Sequence, residues 1–234
     1  MYQKLQLLLN KIIAISGLKN SGKSEAAKMV DYILNSPPIF HNWFSYKYIP
    51  KIYRKYETVA FAGTLKKMLA DFLGFDYKRF EDRDFKENTY IDLSTLHIAK
   101  DPTKLNDRLF NKLLKQEDSL KDQTLSIRQI MQYFGTEICQ KYFGKEVWIN
   151  TTLNSSKNLI ISDLRFKTEA EAVKKRNGFL IFISRQGTEV GNHASEKEVI
   201  DLLNDRKFDL VIRNDEDLKS LFYKLKDGLC TLLV

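Results

Sequence analysis

Short, wholly apolar runs alternate along this chain with stretches in which apolar residues recur every three or four positions. Ile12-Ile13-Ala14-Ile15, Leu159-Ile160-Ile161 and Phe179-Leu180-Ile181-Phe182-Ile183 are runs of the first kind. They are too short for helices and have no polar face, as expected of strands buried on both sides of a sheet. The pattern predicts strands over 12–15, 58–62, 158–163, 179–183 and 210–212. The amphipathic stretches predict a helix opening at Glu25, then helices over 65–73, 103–117, 126–143, 145–153, 168–176, 194–204 and 215–226. In the 126–143 helix, Ile127, Ile130, Met131, Phe134, Ile138 and Tyr142 form the expected buried stripe. Strands alternating with helices predict an α/β fold with a mainly parallel sheet.

Three stretches do not follow this alternation. Residues 39–57 are aromatic and basic, either a substrate flap or a packed irregular segment. Residues 75–101 are charged without clear period, so a substrate-binding insertion is expected over about 75–120. Residues 184–193 form a polar, glycine-containing loop, expected to act as a lid. Gly135 interrupts a helix at a cost of ~1 kcal/mol relative to alanine, which points to close approach of a ligand or another backbone there. Gly74 and Gly178 are expected helix stops.

Composition narrows the picture. The 234 residues suffice for one sizeable domain with an insertion or lid, and 43% hydrophobic content is ordinary for a globular protein. A net charge of +8 implies anionic partners. Cys139 and Cys230 lack metal-ligand spacing and read as reduced thiols of a cytoplasmic protein. No apolar run approaches the ~20 residues of a membrane span, and residues 1–11 lack a signal-peptide layout.

The first strand runs into Gly17-Leu18-Lys19-Asn20-Ser21-Gly22-Lys23-Ser24, a G-x-x-x-x-G-K-S phosphate-binding loop, and then into a helix. The glycines let successive backbone N–H groups face one anion, and the helix adds its positive end. Gly17, Asn20, Ser21, Gly22, Lys23, Ser24 and Glu25 are the nucleotide-binding candidates. Lys23 suits the β- and γ-phosphates, and the Ser24 hydroxyl suits Mg²⁺.

Further chemistry follows the other strands. Asp163 ends an apolar strand, where a carboxylate orients Mg²⁺; the alternative is a cap of the next turn. Arg165 points to the same side if that strand persists, and would grip a phosphate in bidentate fashion. Its alternative is an ion pair with Glu169 or Glu171. Glu169 either orients Arg165, binds a nucleoside hydroxyl or base, or serves only as a structural pair. Trp148 is a base-stacking platform or a core residue. His193, near Ser195 and Glu196, is a catalytic candidate, with Ser195 also reading as a helix cap.

Five blocks together resemble the bacteriophage deoxynucleoside monophosphate kinases, within the nucleoside monophosphate kinase group of P-loop proteins. They are the phosphate-binding loop; Phe61-Ala62-Gly63-Thr64-Leu65-Lys66; Arg128 through Glu137 with Phe143-Gly144 and Trp148; Ile161 through Glu169; and His193-Ala194-Ser195-Glu196. The resemblance implies a three-layer P-loop NTPase fold with a helical insertion. It also implies ATP- and Mg²⁺-dependent phosphorylation of deoxynucleoside monophosphates to diphosphates. It assigns Lys19, Lys66, Arg128, Gly135, Thr136, Trp148, Arg165 and Glu169 to the acceptor pocket or phosphates, and Gln132 lies within the same block. Some relatives carry an acid where this chain has Ser24, and Arg where it has Asn20.

The mechanism expected is in-line transfer, with Lys23, Arg128, Arg165 and the lid residue Arg185 neutralising charge. The expected partners are two small-molecule substrates and no membrane, with no nucleic acid and with room for a homodimer. The setting is the cytoplasm, that of a phage-infected host included. Competing readings are a P-loop kinase of another phosphorylated acceptor, such as dephospho-coenzyme A or phosphomevalonate, and a nucleic-acid-binding ATPase. The last is motivated by the charge and by the basic, aromatic stretch at 40–56.

Overall fold

The computed structural model describes residues 12–92, 124–155, 157–188 and 194–232, with only the backbone for Ala194 and Ser195. The helix expected at 103–117, His193 and the end of the 184–193 loop lie outside the described residues. The chain forms two compact units. One comprises Met1–Phe61 and Thr151–Val234, the other Ala62–Asn150.

The first unit is built on five parallel strands. They are β1 (Ile12–Gly17), β2 (Tyr56–Val59), β5 (Asn158–Ile161), β6 (Phe179–Ser184) and β7 (Leu210–Arg213), in spatial order β2-β5-β1-β6-β7. The mainly parallel α/β architecture is the one the hydrophobic pattern predicts. Alternation within the strands separates two faces. Ile13, Ile15, Ile160, Ile181, Ile183 and Ile212 pack with helix α1 (Lys23–Leu34), short helix α2 (Trp43–Tyr48) and helix α10 (Leu218–Thr231). On the other face, α8 (Lys167–Lys175) contacts β1, β6 and helix α9 (Ala194–Asn204). Chain order jumps sides at β1, which has β5 on one flank and β6 on the other. Ligands of open parallel sheets bind beyond the carboxyl ends of the strands at such a switch point.

The second unit is an insertion between β2 and β5. It holds α3 (Gly63–Leu73), a 3₁₀ turn (Tyr77–Glu81), α4 (Arg83–Asn88) and an antiparallel pair, β3 (Tyr90–Asp92) and β4 (Thr124–Ser126). Then come α5 (Ile127–Tyr133), a π-helical stretch (Phe134–Gln140), α6 (Lys141–Phe143) and α7 (Val147–Leu153), within which the chain returns to the first unit. Leu65, Leu69, Phe80, Phe85, Ile127, Ile130, Phe134 and Ile138 make its core.

Several expectations need correction. The strand placed at 58–62 starts at Tyr56 and ends at Val59, because Asn35 pins its start: Tyr56 N–H donates to Asn35 Oδ1 at 2.9 Å and Asn35 Nδ2 donates to Tyr56 O at 3.1 Å. Tyr142, assigned to a buried stripe, is 45% exposed. The π-helical turns shift the helical phase by extra residues, so a 3.6-residue count carried past Phe134 places it on the wrong face. The residues that follow Gly74, read as aperiodic, hold short elements stitched by Asp76 and Asp82, which accept from Lys78 N and Asp84 N. The left-handed residue after α8 is Asn177, φ 56°, rather than Gly178. The last helix begins at Leu218, capped by Asp217, not at residue 215.

Candidate active site

The loop from Gly17 to Lys23 leaves β1 at its carboxyl end and closes on the start of α1. Asn20 and Gly22 are left-handed, with φ 64° and 91°. A side chain at Gly22 would place its Cβ 2.3 Å from Asn214 Nδ2, and one at Gly17 would meet Ser21 Oγ at 2.4 Å. Both glycines are therefore required by space. Among the described residues, the N–H groups of Gly22, Lys23, Ser24 and Glu25 have no backbone acceptor. The buried Ser21 hydroxyl likewise has no hydrogen-bond partner among them. A helix start with these donors matches a polyphosphate anion.

Lys23 Nζ donates to Leu18 O at 3.1 Å. Its ammonium lies below the usual lysine range. Burial is the first cause, and the Arg165 guanidinium pushes the same way, while Glu196 and Asp163 push back. These four charged groups therefore share one locality. Lys19 and Ser24 are exposed beside it. The Glu25 carboxylate is engaged elsewhere, accepting from Tyr46 Oη at 2.7 Å and pairing with Lys28 at 3.0 Å, so its backbone N–H is what it offers an anion.

Asp163 follows β5 and accepts from Phe61 N at 2.8 Å, which fixes one oxygen. Asp163 and the Ser24 hydroxyl are both hard oxygen donors of the kind Mg²⁺ takes with phosphates and water. No group of three or more His, Cys, Asp or Glu side chains that could cage a metal occurs among the described residues.

The strand does not persist to Arg165; it ends at Ile161. A tethered turn positions Arg165 instead. Leu164 N–H donates to Ile15 O at 3.2 Å, and Ser16 Oγ donates to Leu164 O at 2.8 Å. Glu169 does not pair with the Arg165 guanidinium. Its Oε2 accepts the backbone N–H groups of Arg165 at 2.7 Å and Phe166 at 3.1 Å. Burial raises the Glu169 carboxyl to about 7; the two N–H bonds act against this and the Asp163 charge acts with it. The Arg165 side chain is exposed and makes no ion pair with the described residues, nor does exposed Arg185.

The remaining candidates lie on the second unit. Lys66 Nζ pairs with Glu81 at 2.9 Å. Arg128, on the solvent side of α5, pairs with Glu87 at 3.1 Å. Burial lowers the ammonium of Lys86, with the charges of Lys66 and Arg128 adding to the effect, so three cations gather there. Gln132 and Thr136 are exposed, and Thr136 Oγ1 donates to Gln132 O at 2.7 Å. Gly135 lies in the π-helical stretch. The Trp148 indole N–H donates to its carbonyl at 3.0 Å, and a Cβ would stand 3.0 Å from Leu65 Cδ2. Trp148 itself packs against the unit's core. The described neighbours that crowd Gly135 are thus the side chains of Leu65 and Trp148, rather than another backbone, one of the two expectations from sequence.

Two residues enter that sequence reasoning missed. Asn214, 6% exposed, donates through Nδ2 to Ser21 O at 2.9 Å and so braces the phosphate-binding loop from the end of β7. Its signal is its place just beyond an apolar strand, the position that singles out Asp163. Lys86 gives no signal, because only the fold gathers it with Lys66 and Arg128.

Comparison with known proteins bears on the chain's kinship. The family model described as deoxynucleotide monophosphate kinase matches residues 11–225. The chain is similar to the deoxynucleotide monophosphate kinase of Enterobacteria phage T4, 28% identical over an alignment of 265 residues that covers 95% of this chain and 100% of that protein. It is also similar to a provisionally named deoxynucleotide monophosphate kinase of Acanthamoeba polyphaga mimivirus, 24% identical over 180 residues, 69% of this chain and 86% of that protein. The match over most of the chain settles its kinship: it belongs to the deoxynucleotide monophosphate kinase family.

Proposed function

We propose that the first unit holds ATP and the reacting phosphates, and that the residues gathered on the second unit serve the deoxynucleoside monophosphate acceptor. Family membership makes the chain an ATP-using phosphotransferase of the deoxynucleotide monophosphate kinase type. The observation that carries the assignment of roles is the helix start at Lys23, with its unsatisfied N–H groups and its shared locality with Asp163 and Arg165.

In the proposed reaction an acceptor phosphate oxygen attacks the γ-phosphorus of ATP in line. The bond to the β–γ bridging oxygen breaks, giving a deoxynucleoside diphosphate and ADP. The protein's work is positioning and charge neutralisation. The N–H groups of residues 22–25 and the Lys23 ammonium bind the donor phosphates, with Asn20, Ser21 and Gly17 setting the loop's path. Arg165 and Lys19 are assigned to the acceptor phosphate, and Arg185 to closure over the transferring group. Ser24 and Asp163 would hold Mg²⁺, which when bound shields the phosphate charges. Lys66, Arg128, Gln132, Gly135, Thr136 and Trp148 are assigned to the acceptor nucleotide, and Lys86 joins them on its charge. Glu169 positions the Arg165 turn through backbone bonds. The cytoplasm is the setting that supplies both substrates; no described helix is long and apolar enough to cross a membrane.

A coupled assay of ADP release tests this. ATP, Mg²⁺ and each of the four deoxynucleoside monophosphates are offered beside dephospho-coenzyme A and phosphomevalonate. Turnover is expected with at least one deoxynucleoside monophosphate and with neither other acceptor. The reverse pattern would overturn the proposal.

A further inference from the structure

The stretch between α1 and β2 has a surface to which the proposed kinase mechanism assigns no role. No acidic residue lies between Asp31 and Glu57, while Lys47, Lys51, Arg54 and Lys55 all fall there. The segment is firmly anchored. Trp43 and Tyr46 pack on the core of the first unit, Trp43 N–H donates to Tyr223 Oη at 3.4 Å, and Tyr53 N–H donates to Asn35 O at 2.7 Å. The opposite side of the same segment faces solvent. Phe44 is 67% exposed, Tyr48 69%, Ile52 54% and Tyr53 40%. Phe44 and Tyr48, one helical turn apart on α2, hold their rings 4.9 Å apart. The four cations are exposed with them, Lys55 lying over the Tyr53 ring and Lys51 paired with Asp31.

Exposed rings interleaved with cations, on a rigid base and in a segment with no carboxylate of its own, are what a polyanion with stackable faces requires. We propose that this surface binds single-stranded nucleic acid, its bases stacking on Phe44, Tyr48 and Tyr53 and its phosphates meeting Lys47, Arg54 and Lys55. A second copy of the chain fits the same patch poorly, because a two-fold interface sets like surfaces face to face and would oppose the cations to one another. A duplex offers no free base face to the rings. The inference is independent of the kinase reading and stands or falls on a different measurement.

The test titrates the full chain into fluorescein-labelled oligodeoxythymidylate of about 15 nucleotides, a length suited to one binding groove, and follows anisotropy. Saturating ATP and a deoxynucleoside monophosphate are present throughout, so that the kinase sites are filled. Binding is expected to persist and to weaken about 20-fold between roughly 50 and 200 mM salt, as the neutralisation of about three phosphates of a single strand requires. The double variant Phe44→Ala/Tyr48→Ala is expected to bind about 10-fold or more weakly, with kinase turnover unchanged. Arg54→Glu is expected to weaken binding and flatten the salt dependence. Parallel titrations with oligouridylate identify DNA or RNA as the favoured strand, and tighter binding of either supports the surface. Displacement by the mononucleotides, wild-type affinity in the ring variant, or binding to phosphatidylserine vesicles without binding to the oligonucleotides would each overturn the proposal.

Discussion

Asn214 shows how a residue outside the phosphate-binding loop governs its shape. Its amide nitrogen holds the Ser21 carbonyl, and its bulk fills the space that a Cβ at Gly22 would need. Asn214→Ala strands a buried carbonyl and is expected to cost ~1–3 kcal/mol of stability. It should also raise the KM for ATP, since the loop loses its brace. Urea melts and ATP titrations check both effects; an unchanged midpoint and KM would contradict the assignment. Glu169 carries a different prediction. Its folded pKa of about 7 lies above the usual carboxylate value, so the folded state holds a proton that the unfolded state releases. Stability from this group is therefore full below about pH 4.3 and lost as pH rises through about 7. With the buried carboxyl 8% exposed, the loss is on the order of 3 kcal/mol. Glu169→Gln keeps an acceptor for the two N–H groups and should flatten this dependence in nucleotide-free protein. Thermal melts at pH 5 and pH 8 measure it; equal pH dependence in wild type and variant would contradict it.

At the scale of elements, the sequence is most legible where one physical signal dominates. The buried strands announce themselves by uninterrupted apolar runs, and the phosphate-binding loop by glycines whose spacing has a steric cause. Elements decided by local side-chain caps are not legible by period. Asp76 and Asp82 each build a short helical turn from one backbone bond, and β3 is too brief to show an alternation. The π-helical stretch defeats helical counting because its extra residues appear only once the bonds are drawn. Strand alternation puts Arg165 on the side of Asp163 for a reason that fails: its strand ends early, and tertiary bonds at Leu164 place the turn. Helix α5, which carries Arg128 and Gln132, starts from a reciprocal cap. Ser126 Oγ accepts from Gln129 N at 3.2 Å, and Gln129 Oε1 accepts from Ser126 N at 2.9 Å. Ser126→Ala is expected to destabilise the second unit by ~1 kcal/mol. Hydrogen exchange of the 127–133 amides reads this locally, and unchanged protection would remove the cap from the account.

Over the whole molecule, the sheet is assembled from distant parts of the chain. β1 pairs with β5 and β6, and the second unit is inserted between β2 and β5 with its own core. An insertion that folds on itself shortens the effective loop that the sheet must close. It also leaves the chemistry divided in the sequence, with the donor loop at one end and the Asp163–Glu169 turn far downstream. The net charge of +8 suits a protein whose substrates are anions. The central claim is that the γ-phosphoryl group passes directly from a donor at Lys23 to a monophosphate acceptor. Incubation with γ-labelled ATP, Mg²⁺ and the four deoxynucleoside monophosphates, followed by separation of the products, measures that step. Label is expected in a deoxynucleoside diphosphate with the wild-type chain, and at least ~100-fold less with Lys23→Ala. Label found only in inorganic phosphate, or unchanged transfer by the variant, would contradict it.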